Sequence, residues 1–171
     1  MKQWKWAIVA AALTVAPAIS WANHESLDAT LSGLEEVPPV LSSGRGTFHG
    51  TITNEDDAIP FKLTYRGLRT QILQAHIHFA GTKNEGGVMV FLCGNEGNPC
   101  PNDEGENGRF SGTVEGELKA EDVIAVGSQG VAAGKIKQVI RVIRNGLGYV
   151  NVHTEQFPDG EIRGQVEVTV P

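Results

Sequence analysis

The sequence predicts an all-β fold, an antiparallel sandwich or barrel of about eight strands with a single helix, and three observations predict it. Short runs of alternating apolar and polar residues recur along the chain, which is how half-buried strands read because successive side chains point to opposite faces. Gly, Pro, Asn and Asp clusters punctuate those runs at turn-like intervals. Only one stretch repeats with helical spacing instead. No internal repeat or long linker appears in the 171 residues, so one domain is expected.

The strands are expected in this order. Ser26 to Gly33 alternates until Pro38 and Pro39 stop it. Gly46 to Ile52, Phe61 to Tyr65 and Leu73 to Phe79 follow, with Asn54 to Asp57 and Gly67 supplying turns. Val88 to Leu92 is a continuous apolar run, as in a strand buried on both faces. Phe110 to Leu118, a strand around Val150, and a last one from Glu161 to Val170 complete the set.

The helix is expected between Gly134 and Gly146. Ile136, Val139, Ile140 and Ile143 fall at i, i+3, i+4 and i+7, while Lys135, Lys137, Arg141 and Arg144 take the other side. Asn145-Gly146 ends it. The basic side reads as a solvated face with cations near the helix C-terminus. Lys119 to Val126 adds a short helical turn.

The first residues stand apart. Lys2 and Lys5 precede a mostly apolar run from Trp6 to Ile19, and Ser20-Trp21-Ala22 supplies small residues for cleavage. A signal peptide over residues 1–22, cut near Ala22, is expected, with the domain over 23–171 and a periplasmic or secreted location. A spanning helix needs ~20 apolar residues, and here Pro17 interrupts a shorter run. No later stretch is long and apolar enough to span a bilayer. The formal net charge of −6 excludes the basic footprint of a nucleic-acid binder. A protein partner or a homo-oligomer stays open.

Cys93 and Cys100 enclose a Gly/Asn/Pro-rich spacer, and in an oxidising compartment such a pair forms a disulfide that pins a loop. A thiolate metal pair or redox couple would favour Cys-x-x-Cys.

Chemistry concentrates in two stretches. In Gln74-Ala75-His76-Ile77-His78-Phe79, alternation sends Ala75, Ile77 and Phe79 to the core and both histidines to the opposite face. In Val150-Asn151-Val152-His153-Thr154 it sends Asn151 and His153 the same way. His76, His78 and His153 therefore form a candidate copper or zinc site, because three neutral imidazoles are a donor set both metals accept. Their ring nitrogens should then lie within ~4 Å of one another, and affinity should weaken below about pH 6 as imidazoles take up protons. The alternative is a metal-free polar seam in which the histidines bond to Asn151, Glu161, Arg163 and Gln165. His49 alternates with Thr47 and Thr51 and reads as an exposed strand histidine. No nucleophile elbow or zinc-protease helix is present. Asn102 to Gly108 lacks the glutamate of a calcium loop and reads as solvated and acidic.

Four blocks, Leu31-Ser32-Gly33-Leu34-Glu35-Glu36-Val37-Pro38-Pro39-Val40, Ala75-His76-Ile77-His78, Tyr149-Val150-Asn151-Val152-His153-Thr154 and Gly160-Glu161-Ile162-Arg163-Gly164-Gln165, occur in an order that resembles the chordin (CHRD) domain family across roughly Leu27 to Val168. The resemblance implies a single exported β domain, since bacterial members are mostly of that kind, without an assigned activity. A more distant likeness is to copper/zinc superoxide dismutase, whose sandwich also presents a His-x-His strand and a remote histidine to copper. By that likeness His76, His78 and His153 match the copper ligands, but no bridging histidine and no zinc cluster are found. The fold implied is immunoglobulin-like or superoxide-dismutase-like. Three functions follow as expectations: an exported binding module that holds a metal, a dismutase-like redox enzyme, and a structural envelope protein with a polar seam.

Overall fold

Alternation along the chain becomes two-faced strands, and the apolar faces of those strands turn to one core. The computed structural model describes residues 24–105 and 107–170; the expected signal peptide lies outside the described residues. The strands are β1 (Ser26–Ser32), β2 (Arg45–Thr51), β3 (Ile59–Leu68), β4 (Ile72–Phe79), β5 (Val88–Cys93), β6 (Asp103–Glu104), β7 (Phe110–Leu118), β8 (Gly148–Thr154), β9 (Ile162–Gln165) and β10 (Glu167–Thr169). All pair antiparallel, in the order β5-β4-β8-β9-β1-β2-β3-β7-β6, with β10 also on β1. The sheet curls, because Val90 of β5 near one end forms a bridge to Val123, just past β7 near the other. The sandwich-or-barrel expectation therefore holds, with ten strands among the described residues.

The two added strands have local causes. The run from Glu161 to Val170 is split at Val166, whose amide donates to the Gly148 carbonyl at 2.9 Å instead of continuing the β1 ladder. As a result β9 meets the end of β1 at Ser32 and β10 meets its start at Ser26 to Asp28. In the acidic loop, Asp103 and Glu104 pair with Ser111 and Phe110. Their side chains stay exposed, as expected of a solvated segment. Gly67, read as a turn residue, instead lies inside β3 with a φ of 70°, where the register with β7 shifts between Tyr65 and Leu68. A glycine there forms a bulge at no steric cost. In β5, Met89, Val90 and Leu92 are buried while Val88 and Phe91 are half-buried, so the strand is less enclosed than its apolar run implies.

The core joins Leu27, Leu31, Phe48, Leu63, Ile77, Leu92, Val150 and Ile162 to the inner side of a helix, α1 (Ile136–Arg144). Ile136, Val139, Ile140 and Ile143 are all buried, as their spacing requires, and Val142 joins them. The basic side is less free than its sequence suggests. Arg144 bonds to both carboxylate oxygens of Glu25 at 2.8 Å and to both of Asp56 at 2.7 Å, so it clamps the helix end to the approach of β1 and to the β2–β3 turn. Cys93 ends β5 and is disulfide-bonded to Cys100, with their Cα atoms 5.0 Å apart. Asn102 then ties that loop to β4, accepting from the Ile72 amide at 2.6 Å and donating to the Ile72 and Cys100 carbonyls.

Candidate metal centre

Three neighbouring strands build the site through their register. Gln74 of β4 faces His153 of β8, His76 faces Asn151, and His78 faces Tyr149. Across the other edge of β8, Asn151 faces Arg163 and Tyr149 faces Gln165 of β9. Because side chains alternate, His76, His78, Tyr149, Asn151, His153, Arg163 and Gln165 share one side of the sheet. Ala75, Ile77, Val150, Val152 and Ile162 share the other and are fully buried in the core.

The three histidines converge. One ligand-capable nitrogen from each lies within 4.8 Å of the others. His76 Nδ1 and His78 Nε2 are 3.3 Å apart, close to the ~3.3 Å between two nitrogens that share a tetrahedral centre at 2.0–2.1 Å. The widest separation allowed by the cluster exceeds the ~4 Å expectation, since two such bonds span at most about 4.2 Å.

Hydrogen bonds decide which nitrogens are free. His78 Nδ1 lies 3.0 Å from the Gly86 carbonyl and His153 Nδ1 lies 2.8 Å from the Pro158 carbonyl. A carbonyl oxygen only accepts, so each Nδ1 carries the proton and each Nε2 keeps a bare lone pair. This is the arrangement by which a ligating imidazole is oriented through its second nitrogen. Nε2 of His153 and Nε2 of His76 are buried without a hydrogen-bond partner, an unusual expense for two neighbouring polar atoms. A cation shared by these rings would satisfy the His153 lone pair and replace the proton between His76 and His78. The residues present thus fit a transition-metal ion.

The site is enclosed, not open. His76, His78 and His153 are 2%, 8% and 6% exposed, although alternation placed them on a polar outer surface. Loops fold over that face. Phe91 packs edge-on against His76, 4.4 Å between centroids, and Tyr149 stacks on His78 at 4.7 Å. The segment from Gly81 to Gly86 is held by Arg163, which donates to the Gly81 and Asn84 carbonyls at 3.1 and 2.8 Å. Gly86 must be glycine here, because a Cβ would stand 1.8 Å from the Phe79 carbonyl oxygen. On the other flank Gly160 adopts a φ of 133°, and a Cβ would meet Asn151 Nδ2 and Glu36 Oε1 at 2.7 Å. Both loops therefore depend on close backbone approach.

Burial sets the protonation. It pushes the His76 imidazole down to about 3 and that of His78 to about 4, with the neighbouring rings adding smaller repulsions and the Gly86 carbonyl opposing the shift in His78. His153 is lowered for the same reason, against the pull of the Pro158 carbonyl and Asp159. All three are neutral at pH 7, the state in which imidazole binds metals. Burial also raises the Glu36 carboxyl to about 7, despite its bond to Asn151.

The surrounding residues divide unevenly. Asn151 donates to Glu36 at 2.7 Å and to the Ile162 carbonyl. Gln165 donates to the Ala80, Gly146 and Gly148 carbonyls. Glu161 is fully buried but turned away from the histidines, accepting from Ser42, Thr154 and the Arg69 amide. His49 is exposed and lies 2.9 Å from Asp28, remote from the cluster. Sequence reasoning did not single out Glu36, Tyr149 or Phe91. Tyr149 was detectable, since it keeps the two-residue spacing of Asn151 and His153. Glu36 has no such spacing, because it lies past the end of β1.

A family model, the CHRD domain, matches residues 27–166. No curated protein and no solved structure matches the chain. The match spans β1 to the residue that divides β9 from β10, and so contains every strand that builds the histidine face: this chain belongs to the CHRD domain family.

Proposed function

We propose that the protein is an exported CHRD-domain module that holds a transition-metal ion, copper or zinc, through His76, His78 and His153. The observation that carries the reading is the pair of fixed tautomers. His78 and His153 each commit Nδ1 to a carbonyl, and their bare Nε2 atoms turn to a space that His76 closes. A set of hydrogen bonds serving only a polar seam would not leave His153 Nε2 buried without a partner. Export is supported by the Cys93–Cys100 disulfide, which persists in oxidising compartments, and by the basic and apolar start of the sequence.

The reading is tested by elemental analysis of protein purified without chelators, set beside a His76→Ala/His78→Ala double variant. About one copper or zinc per chain in the parent and background metal in the variant is the expected result. Background metal in both, after incubation with either ion, leaves the metal-free seam as the correct account. A dismutase-like activity is tested separately on the metal-loaded protein.

A further inference from the structure

We propose that this centre is built for copper(I) in preference to zinc or copper(II). The inference rests on the metal reading above and concerns the charge and the coordination number of the ion.

All three donors are neutral imidazoles, so the bound complex keeps the whole charge of its ion. Enclosure makes that charge expensive, because the cost of desolvating an ion rises with the square of its charge, about fourfold from one unit to two. Anionic ligands normally offset that cost. None is in the cluster, whose members among the described residues are the three histidines alone.

A buried fixed charge beside His78 has the wrong sign for a dication. Arg163, 3% exposed, places its guanidinium carbon 3.4 Å from the centroid of the Tyr149 ring, and that ring stacks on His78 at 4.7 Å. Those separations laid end to end put the cation no more than about 8 Å from the centre of the His78 ring. Its identified acceptors are neutral carbonyls, and among the described residues no carboxylate pairs with it within 4.0 Å. Glu36, Glu85 and Asp159 are the neighbouring acids. Burial raises the Glu36 carboxyl to about 7, which leaves it only partly ionised at pH 7, and Glu85 and Asp159 stand exposed in water. At an effective dielectric near 20, each added unit of positive charge roughly 10 Å from Arg163 loses on the order of tenfold in affinity.

Coordination points the same way. Zinc completes a four-coordinate shell and copper(II) favours a tetragonal one, both of which require room for added ligands. Here Phe91 and Tyr149 close on the rings, and the unpartnered Nε2 atoms are cut off from solvent. Copper(I) is satisfied by three ligands.

The test is a pair of anaerobic competition titrations of the purified chain at pH 7, copper(I) against bathocuproine disulfonate and zinc against a chromophoric chelator. Copper(I) is expected to bind at least ~100-fold more tightly than zinc, and Arg163→Gln to narrow the difference by about tenfold. Zinc binding as tightly as copper(I) overturns the preference while leaving the metal site standing. Failure of both metals to bind overturns both. Should Arg163→Gln not fold, electron paramagnetic resonance of the copper(I)-loaded parent decides. A silent spectrum after exposure to air is expected, and a full copper(II) signal overturns the proposal.

Discussion

His76 and His78 bring Nδ1 of one ring to within 3.3 Å of Nε2 of the other, and the two residues are separated only by Ile77, whose side chain is fully buried on the opposite face. The strand pleat thus produces the close pair, while the Gly86 carbonyl determines which nitrogen of His78 is bare.

This pair should hold its metal at lower pH than exposed histidines do. Metal binding must displace protons only where protons are bound, and burial lowers His76 to about 3 and His78 to about 4. Affinity should therefore stay nearly level from pH 7 down to about 5, whereas exposed imidazoles near pKa ~6.5 would already lose it. Calorimetric titrations at pH 7, 6 and 5 check this. A steep loss between pH 7 and 6 would contradict it and return the expectation drawn from the sequence.

Without metal, acid should destabilise the fold. In the window between the unfolded imidazole value of ~6.5 and the folded values near 3 to 4, the unfolded chain binds protons that the folded one refuses. Stability contributed by neutral histidines is present above that window and lost as pH falls through it. Glu36 acts with the opposite sign, because its folded value is raised from 4.5 to about 7. Its contribution is present below 4.5 and lost as pH rises through 7. Three groups outweigh one, so urea midpoints of metal-free protein should fall from pH 6.5 to pH 4.5. Glu36→Gln should steepen that fall by removing the opposing group, and an unchanged profile would show that Glu36 does not titrate in this range.

Glu161 should matter for folding and not for metal. Its buried carboxylate collects Ser42, the Arg69 amide and Thr154, joining the loop before β2, the β3–β4 turn and the end of β8. Glu161→Ala leaves those donors unpaired and should cost ~3 to 5 kcal/mol by urea unfolding. The folded fraction should bind metal as the parent does. A cost below about 1 kcal/mol would mean that water replaces the carboxylate.

On the helix, facing should separate three substitutions. Ile140→Ala removes a side chain 1% exposed and should cost ~2 to 5 kcal/mol, while Lys137→Ala should be near neutral. Arg144→Ala should fall between them at about 1 kcal/mol, because its two carboxylate partners are partly solvated. Equal effects of Ile140→Ala and Lys137→Ala in thermal unfolding would refute this orientation.

What the sequence made legible was periodic. Alternation placed His76, His78 and His153 on one side of one sheet, and helical spacing placed Ile136, Val139, Ile140 and Ile143 inward. What it hid was the second covering layer. The loops that enclose the histidines are held by Arg163 to Gly81 and Asn84, contacts 82 and 79 residues apart in sequence, and no local pattern encodes them. The break at Val166 was hidden for a similar reason, since it depends on a bond to Gly148. Glu36 reaches Asn151 across 115 residues. Local periodicity therefore locates the ligands, and non-local bonds bury them.

The most direct measurement of the central claim is a metal titration of the parent chain beside His153→Ala, because His153 reaches the centre from a different strand than the other two. The account predicts one ion per parent chain, and a loss of affinity of ~100-fold or more in the variant with the circular dichroism of the fold retained. Equal affinity of parent and His153→Ala would contradict a three-histidine centre.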